Sequence, residues 1–202
     1  VLKAVQNVNE RIAKNIKGIN VENQKDLDKH LIELDGTEDK SLLGANAILS
    51  VSLASARAQA EHEDKELFEY LKKYNHSFNG KYVMPIPEMN IMNGGKHAGW
   101  ATDIQEYMIF PLKAENVTDA IRMNAEIYQK LKKIISKKDF AVTVGDEGGF
   151  APKVERNETP LDLMTEAVEA AGYKVGEEIF FGLDVAASEF FKDGNYVLKT
   201  EG

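Results

Sequence analysis

Ile104-Gln105-Glu106-Tyr107-Met108-Ile109-Phe110 is a run rich in apolar and aromatic residues that Pro111 stops, the pattern of a short strand. Behind it, Val117, Ala120, Ile121, Ile127, Tyr128, Leu131, Ile134 and Ile135 share one face of a long amphipathic helix, with Asn116 and Asp119 as a capping pair at its start. Ahead of it, Val83 to Met92 is apolar but broken by Pro85 and Pro87, so it reads as a short strand entering a loop at Asn93-Gly94-Gly95. Downstream, Phe140 to Val144 leads into Gly145-Asp146-Glu147-Gly148-Gly149. A second helix then starts at Thr159 as N-cap, with Pro160 at N1, and ends at Gly172. Ile179 to Val185 is a third strand. The order strand, strand, helix, helix, strand predicts an α/β arrangement with strands covered by helices.

Residues 1–74 read differently, as almost all helix. Leu2, Val5, Val8, Ile12 and Ile16 recur at three- and four-residue steps and predict one helical face closed by Gly18. A second helix is expected from about Gln24 to Leu34, stopped by Asp35-Gly36. A long helix rich in Ala and Ser runs from Gly44 to Ala60, and a short one lies around Lys65 to Lys72. Asn75 to Gly80 reads as a linker. No internal repeat and no low-complexity tract is present.

Composition narrows the function. The 202 residues carry 25 Lys and Arg against 33 Asp and Glu, a net charge of -8, which gives no general attraction for nucleic-acid phosphates or anionic lipids. There is no cysteine, so disulfides, thiolate nucleophiles and cysteine zinc sites are excluded together. The four His lack zinc-ligand spacing. No apolar run approaches the ~20 residues that a membrane span requires.

Four residues carry candidate chemistry. Glu106 alternates onto the face of its strand that holds Ile104, Met108 and Phe110, where an ionised carboxylate is costly unless paired or metal-bound. A Glu at a strand edge reaching water would look the same. Glu147 stands before two glycines that would let the backbone aim it into a cleft, although the same five residues make an ordinary surface turn. Asp184 ends the third strand, where α/β proteins and barrels place their ligand sites. It suits a hard cation as one of a set of oxygen ligands, or caps a helix. His97, in Asn93-Gly94-Gly95-Lys96-His97-Ala98-Gly99, is placed to donate to a substrate oxygen or to stand solvated in its loop. The glycines there match neither the P-loop nor the dinucleotide fingerprint.

Five blocks in order resemble the enolase family. They are Leu34-Asp35-Gly36-Thr37 with Leu43 to Leu53; Pro87 through Asn93-Gly94-Gly95-Lys96-His97-Ala98; Gln105 to Ile109; Val144 to Pro152; and Leu183-Asp184-Val185-Ala186-Ala187-Ser188-Glu189-Phe190. Trp100 departs from the small or polar residue expected in its loop.

The resemblance implies a fold in two parts. Residues 1–76 would be the C-terminal, helical part of an α+β N-terminal domain. Residues 82–202 would be the start of a TIM-type barrel, about half of the ~250 residues of a closed one. The chain is thus expected to be an interior segment lacking both ends, and inactive alone. The family's remaining magnesium carboxylates, its lysine base and its phosphate-binding residues would lie beyond Gly202.

The resemblance also implies reversible dehydration of 2-phosphoglycerate to phosphoenolpyruvate in glycolysis and gluconeogenesis, by a cytoplasmic homodimer using Mg²⁺. Asp184 would be a magnesium ligand, Glu147 the general acid for the C3 hydroxyl, Glu106 its hydrogen-bonded neighbour, and His97 a substrate contact on a mobile loop. Enolase-superfamily sites use a Lys or His base with metal ions that stabilise an ene-diolate, and a hydroxide leaving group needs a positioned acid. The alternatives are an acid-sugar or muconate-type enzyme of the superfamily, and a non-catalytic binding protein on the same scaffold.

Overall fold

A computed structural model describes residues 1–201 of the chain, which divide into two compact units, residues 1–82 and 83–201. The first unit is helical. It begins with α1 (Leu2–Gln6), continues through a π-helical turn (Asn7–Ile12) into α2 (Ala13–Ile16), and goes on to α3 (Gln24–Asp35), α4 (Ala45–His62) and α5 (Leu67–Leu71). Its core is made by Ile12, Leu27, Leu31, Leu43, Ala47, Ile48 and Val51. The expected single face of the first helix is realised in part, because Val8, Ile12 and Ile16 pack on this core. Of Leu2, Val5, Val8, Ile12 and Ile16 only Ile12 is fully buried, while Leu2 and Val5 are exposed. The π turn closes its hydrogen bonds one residue further along than an α-helix and so rotates Leu2 and Val5 off the face that Ile12 presents.

The Asp35-Gly36-Thr37 block has a mechanical role. Gly36 ends α3 in the left-handed conformation, φ 70°, and its N–H donates to the Ile32 carbonyl. The buried Asp35 carboxylate then accepts from the backbone N–H of Thr37 at 3.0 Å and of Leu43 at 2.7 Å, and from the Thr37 hydroxyl. Those bonds, against the opposing effect of burial, hold its pKa below the ordinary value. They fold residues 36–43 back so that Leu43 reaches the core.

The second unit contains β1 (Met89–Asn93), β2 (Glu106–Pro111), α6 (Val117–Lys137), α7 (Thr159–Ala170), β3 (Ile179–Asp184) and a small hairpin of β4 (Phe191–Lys192) and β5 (Asn195–Tyr196). The expected order of two strands, two helices and a strand is present. Asn116 caps α6 by accepting the Asp119 N–H at 2.9 Å, as its sequence suggests. Helix α7 begins one residue earlier than read, with Glu158 rather than Thr159 at the cap.

The three main strands form one sheet in the order β1-β2-β3, antiparallel at both contacts. Tyr107 and Ile109 point to the face covered by α6 and α7, where they join Ile91, Met92, Ile127, Leu131, Met164, Val168 and Ile179 in the core. The opposite face carries Glu106, Met108 and Phe110, all half-buried. Glu106 therefore lies on the open face of the sheet and not among core side chains. The period-2 pattern identified its companions correctly but could not say which face the helices would take. The described residues form an open sheet with two helices, not a closed barrel.

Candidate active site

Antiparallel pairing decides what meets at one end of this sheet. Glu106, the first residue of β2, is in register with Asn93, the last of β1, and with Asp184, the last of β3. In a parallel sheet the start of one strand would lie far from the ends of its neighbours. Here one amide and two carboxylates are placed side by side.

Glu147 arrives from the free edge of β1. Phe150 donates its N–H to the Ile91 carbonyl at 2.9 Å, and Asn93 donates to the Phe150 carbonyl at 2.8 Å, so Phe150, next to the glycine-rich turn, makes a single parallel bridge to β1. The turn closes on itself through Gly145 N–H to the Gly149 carbonyl, 2.8 Å. From the side of α6, the Tyr128 hydroxyl donates to the Gly148 carbonyl at 2.8 Å, and its ring stacks on Phe150 with centroids 4.5 Å apart. The turn is anchored on two sides, which an ordinary surface turn is not.

Three side chains hold the Glu147 carboxylate. His97 Nδ1 lies 2.8 Å from Oε1, while Asn93 and Asn90 donate from Nδ2 to Oε2 at 3.0 and 3.2 Å. Asn90 and Asn93 are three residues apart and would face opposite sides of a regular strand. The register of β1 against β2 shifts between Asn90 and Met92, a bulge that absorbs one residue and turns both amides to the same side.

The two glutamates titrate in opposite directions. Burial, then hydrogen bonding and charge repulsion from Glu147, then the charge of Asp184, raise the Glu106 pKa above its ordinary value. For Glu147 burial also acts upward, but hydrogen bonds from His97 and Glu106, the charge of His97 and the Asn93 amide outweigh it, and its pKa is lowered. Of the two, Glu106 therefore holds a proton more readily and Glu147 gives one up more readily.

The loop that bears His97 is closed at its base by Gly94 N–H to the Gln105 carbonyl and Gly95 N–H to the Thr102 carbonyl, both 2.8 Å. His97 sits in a single 3-10 turn, Lys96–Ala98, with its side chain 42% exposed. Trp100 takes a left-handed conformation, φ 60°, and the Lys199 ammonium lies 3.8 Å from its ring centroid. Lys96 adds an ion pair to Glu189 at 3.5 Å. Residues 189–199 thus touch this loop at two points.

Asp103, which the sequence reading passed over, makes a third connection. It is buried, and its carboxylate accepts from Asn157 Nδ2 at 2.9 Å and from the backbone N–H groups of Lys199 and Thr200 at 2.6 and 3.0 Å. Against burial, those bonds lower its pKa. A depressed folded-state pKa contributes stability that is complete above the unfolded value, about 3.9, and disappears as the pH falls through the lower folded value. Asp103→Asn should therefore destabilise the protein by about 1–3 kcal/mol near neutrality. The gap from wild type in thermal unfolding should close below about pH 4. A gap independent of pH would show that the charge contributes nothing.

Asp184 is exposed beside Glu106, and its Oδ1 accepts the Ala186 N–H at 3.0 Å. Among the described residues no group of three or more Asp, Glu or His side chains is arranged to hold a metal ion. As a donor set for a hard cation the residues present fit in kind, being carboxylate oxygens at one sheet end. His97, Glu106 and Glu147 are brought together, with Asp184 adjoining through Glu106. The other three histidines lie in helical or linker positions elsewhere. Among the described residues no helix is long and apolar enough to cross a membrane.

Comparison with protein-family models matches residues 1–71 to Enolase, N-terminal domain, and residues 81–202 to Enolase, C-terminal TIM barrel domain.

Proposed function

This chain belongs to the enolase family, a family of lyase-type enzymes acting on small molecules, and on that footing we propose that its carboxylate cluster serves the reversible dehydration of 2-phosphoglycerate to phosphoenolpyruvate with Mg²⁺. The observation that carries the reading is the pairing of Glu106 with Glu147 under His97. Loss of the C3 hydroxyl requires a proton delivered to oxygen as the C–O bond breaks. Glu147 delivers it after taking over the proton held by its neighbour Glu106, and water departs. Burial and the negative charge of Glu147 make Glu106 the member that holds a proton more readily, so it supplies Glu147 with one and regains its own from solvent between turnovers. His97, bonded to Glu147 and half-exposed on its loop, orients that carboxyl and contacts the substrate.

Asp184 would be one ligand of the metal. Bound Mg²⁺ offsets the negative charge that builds up beside the substrate carboxylate. By the same family reading the enzyme is a cytoplasmic homodimer of glycolysis and gluconeogenesis.

The test is direct. Full-length protein given 2-phosphoglycerate and Mg²⁺ should form phosphoenolpyruvate, followed by ultraviolet absorbance, and chelation should stop it. Turnover of an acid sugar with none on 2-phosphoglycerate would move the protein to another branch of the superfamily. Metal-dependent turnover of neither would support a binding scaffold.

A further inference from the structure

We infer that Asn93 is a positioning residue for Glu147, and that the glycine-rich turn bearing Glu147 is shaped around its side chain. This rests on the reading of Glu147 as the acid. Asn93 directly precedes Gly94-Gly95, and an Asn-Gly-Gly run on its own signals only a turn. In the fold it is the buried last residue of β1, 2% exposed, and its backbone N–H is already committed to the Phe150 carbonyl.

Its amide is used at both ends. Oδ1 accepts the Gly149 N–H at 2.7 Å, and Nδ2 donates to Glu147 Oε2 at 3.0 Å. The backbone N–H of Gly149 can only donate, so the atom facing it is the oxygen, and the nitrogen necessarily faces the carboxylate. A short planar group with an acceptor and a donor on one carbon meets this demand. Asp offers no donor, Ser is too short, and Gln places the amide one methylene too far.

The glycines are the complement of this side chain. A Cβ on Gly149 would stand 2.5 Å from Asn93 Oδ1 and 2.9 Å from the Met92 nitrogen. A Cβ on Gly145 would stand 2.9 Å from Asn93 Cβ. Gly145-Asp146-Glu147-Gly148-Gly149 is therefore wrapped closely over Asn93, and close approach, not a turn preference, explains its first and last glycines. With Asn90 on the same oxygen and His97 on the other, Asn93 leaves the carboxylate one orientation on a turn that would otherwise let it swing. A misplacement of about 1 Å in a reacting group costs on the order of 100-fold in rate.

The full-length enzyme tests this. Asn93→Asp keeps the shape and the acceptor for Gly149 but replaces the donor with a charged oxygen facing Glu147. Asn93→Ala, neutral and smaller, is the second variant, read in the same way should the buried charge prevent folding. In either, kcat for dehydration should fall about 100-fold with KM within a few-fold. Exchange of the C2 hydrogen with solvent deuterium needs the base but not the acid at C3, and should be retained within a few-fold. A merely structural role would lower exchange and dehydration together. Added to Glu147→Gln, the Asn93 substitution should cost little more, because the group it positions is already gone.

Dehydration within threefold of wild type in a folded variant, or equal losses of exchange and dehydration, overturns the role of Asn93 alone. Wild-type enzyme that exchanges and dehydrates nothing overturns the proposed reaction instead.

Discussion

Glu147→Gln in the full-length enzyme is expected to lower kcat for phosphoenolpyruvate formation by about 1,000-fold, within the range general acid catalysis supplies, with KM changed only a few-fold. The substitution keeps the length of the side chain and leaves a carbonyl oxygen for the Asn93 and Asn90 amides that meet Oε2 at 3.0 and 3.2 Å. It removes the one capability the reaction needs, which is to hold and release a proton at the C3 oxygen. Far-ultraviolet circular dichroism and the thermal midpoint should match wild type, since the side chain lies on a surface turn anchored by backbone bonds of its neighbours. Loss of less than tenfold in a folded variant would remove Glu147 from the chemistry and leave Glu106, whose pKa is the raised one of the pair, as the donor.

Gly94→Ala is expected to be the most damaging of the glycine substitutions, destabilising the protein by about 3 kcal/mol or more. A Cβ there would lie 1.7 Å from Thr102 Oγ1 and 2.3 Å from the backbone carbonyl oxygen of Ile104. The side-chain clash could be relieved by rotation, but the backbone one could not without opening the Gly94–Gln105 and Gly95–Thr102 hydrogen bonds that close the His97 loop. Gly99→Ala is the internal control. Gly99 has φ 61° and open space around it, so an added methyl meets only backbone strain of about 1–2 kcal/mol. Thermal unfolding of both variants compares close packing with strain directly. A Gly94→Ala protein no less stable than Gly99→Ala would mean that the loop is not closed as described.

Much of this architecture is legible in the residues. The apolar stripe from Val117 to Ile135, the Asn116 cap and the Pro111 stop locate the start of α6 and the end of β2 to within a residue, because each is a local effect. Ile104 to Phe110 likewise announces a strand and pairs Glu106 with Met108 and Phe110 on one face. The choice of face depends on where α6 and α7 pack, which is a tertiary matter, and so the carboxylate lies on the open side.

The site is legible in its parts and not in its geometry. His97, Glu106, Glu147 and Asp184 stand out one at a time, as charged or titratable groups in strands and glycine-rich turns. Their convergence depends on antiparallel pairing, and that of Asn90 and Asn93 on a single bulged residue, neither of which has a local signature. Asn93 and Asp103 escape notice for a related reason. Both are small polar residues beside glycines or loops, where solvated turns are common, and only burial and their bonding partners distinguish them.

The claim on which the account depends most is that Glu106 and Glu147 share one proton at one end of the sheet. Carbon-13 NMR of carboxyl-labelled glutamates in the full-length, metal-free protein measures this. The account predicts one resonance titrating above the ordinary glutamate value of 4.5 and absent in Glu106→Gln, with the Glu147 resonance titrating below that value and moving when Glu106 is replaced. Two carboxyls that both titrate near 4.5, each indifferent to substitution of the other, would contradict it.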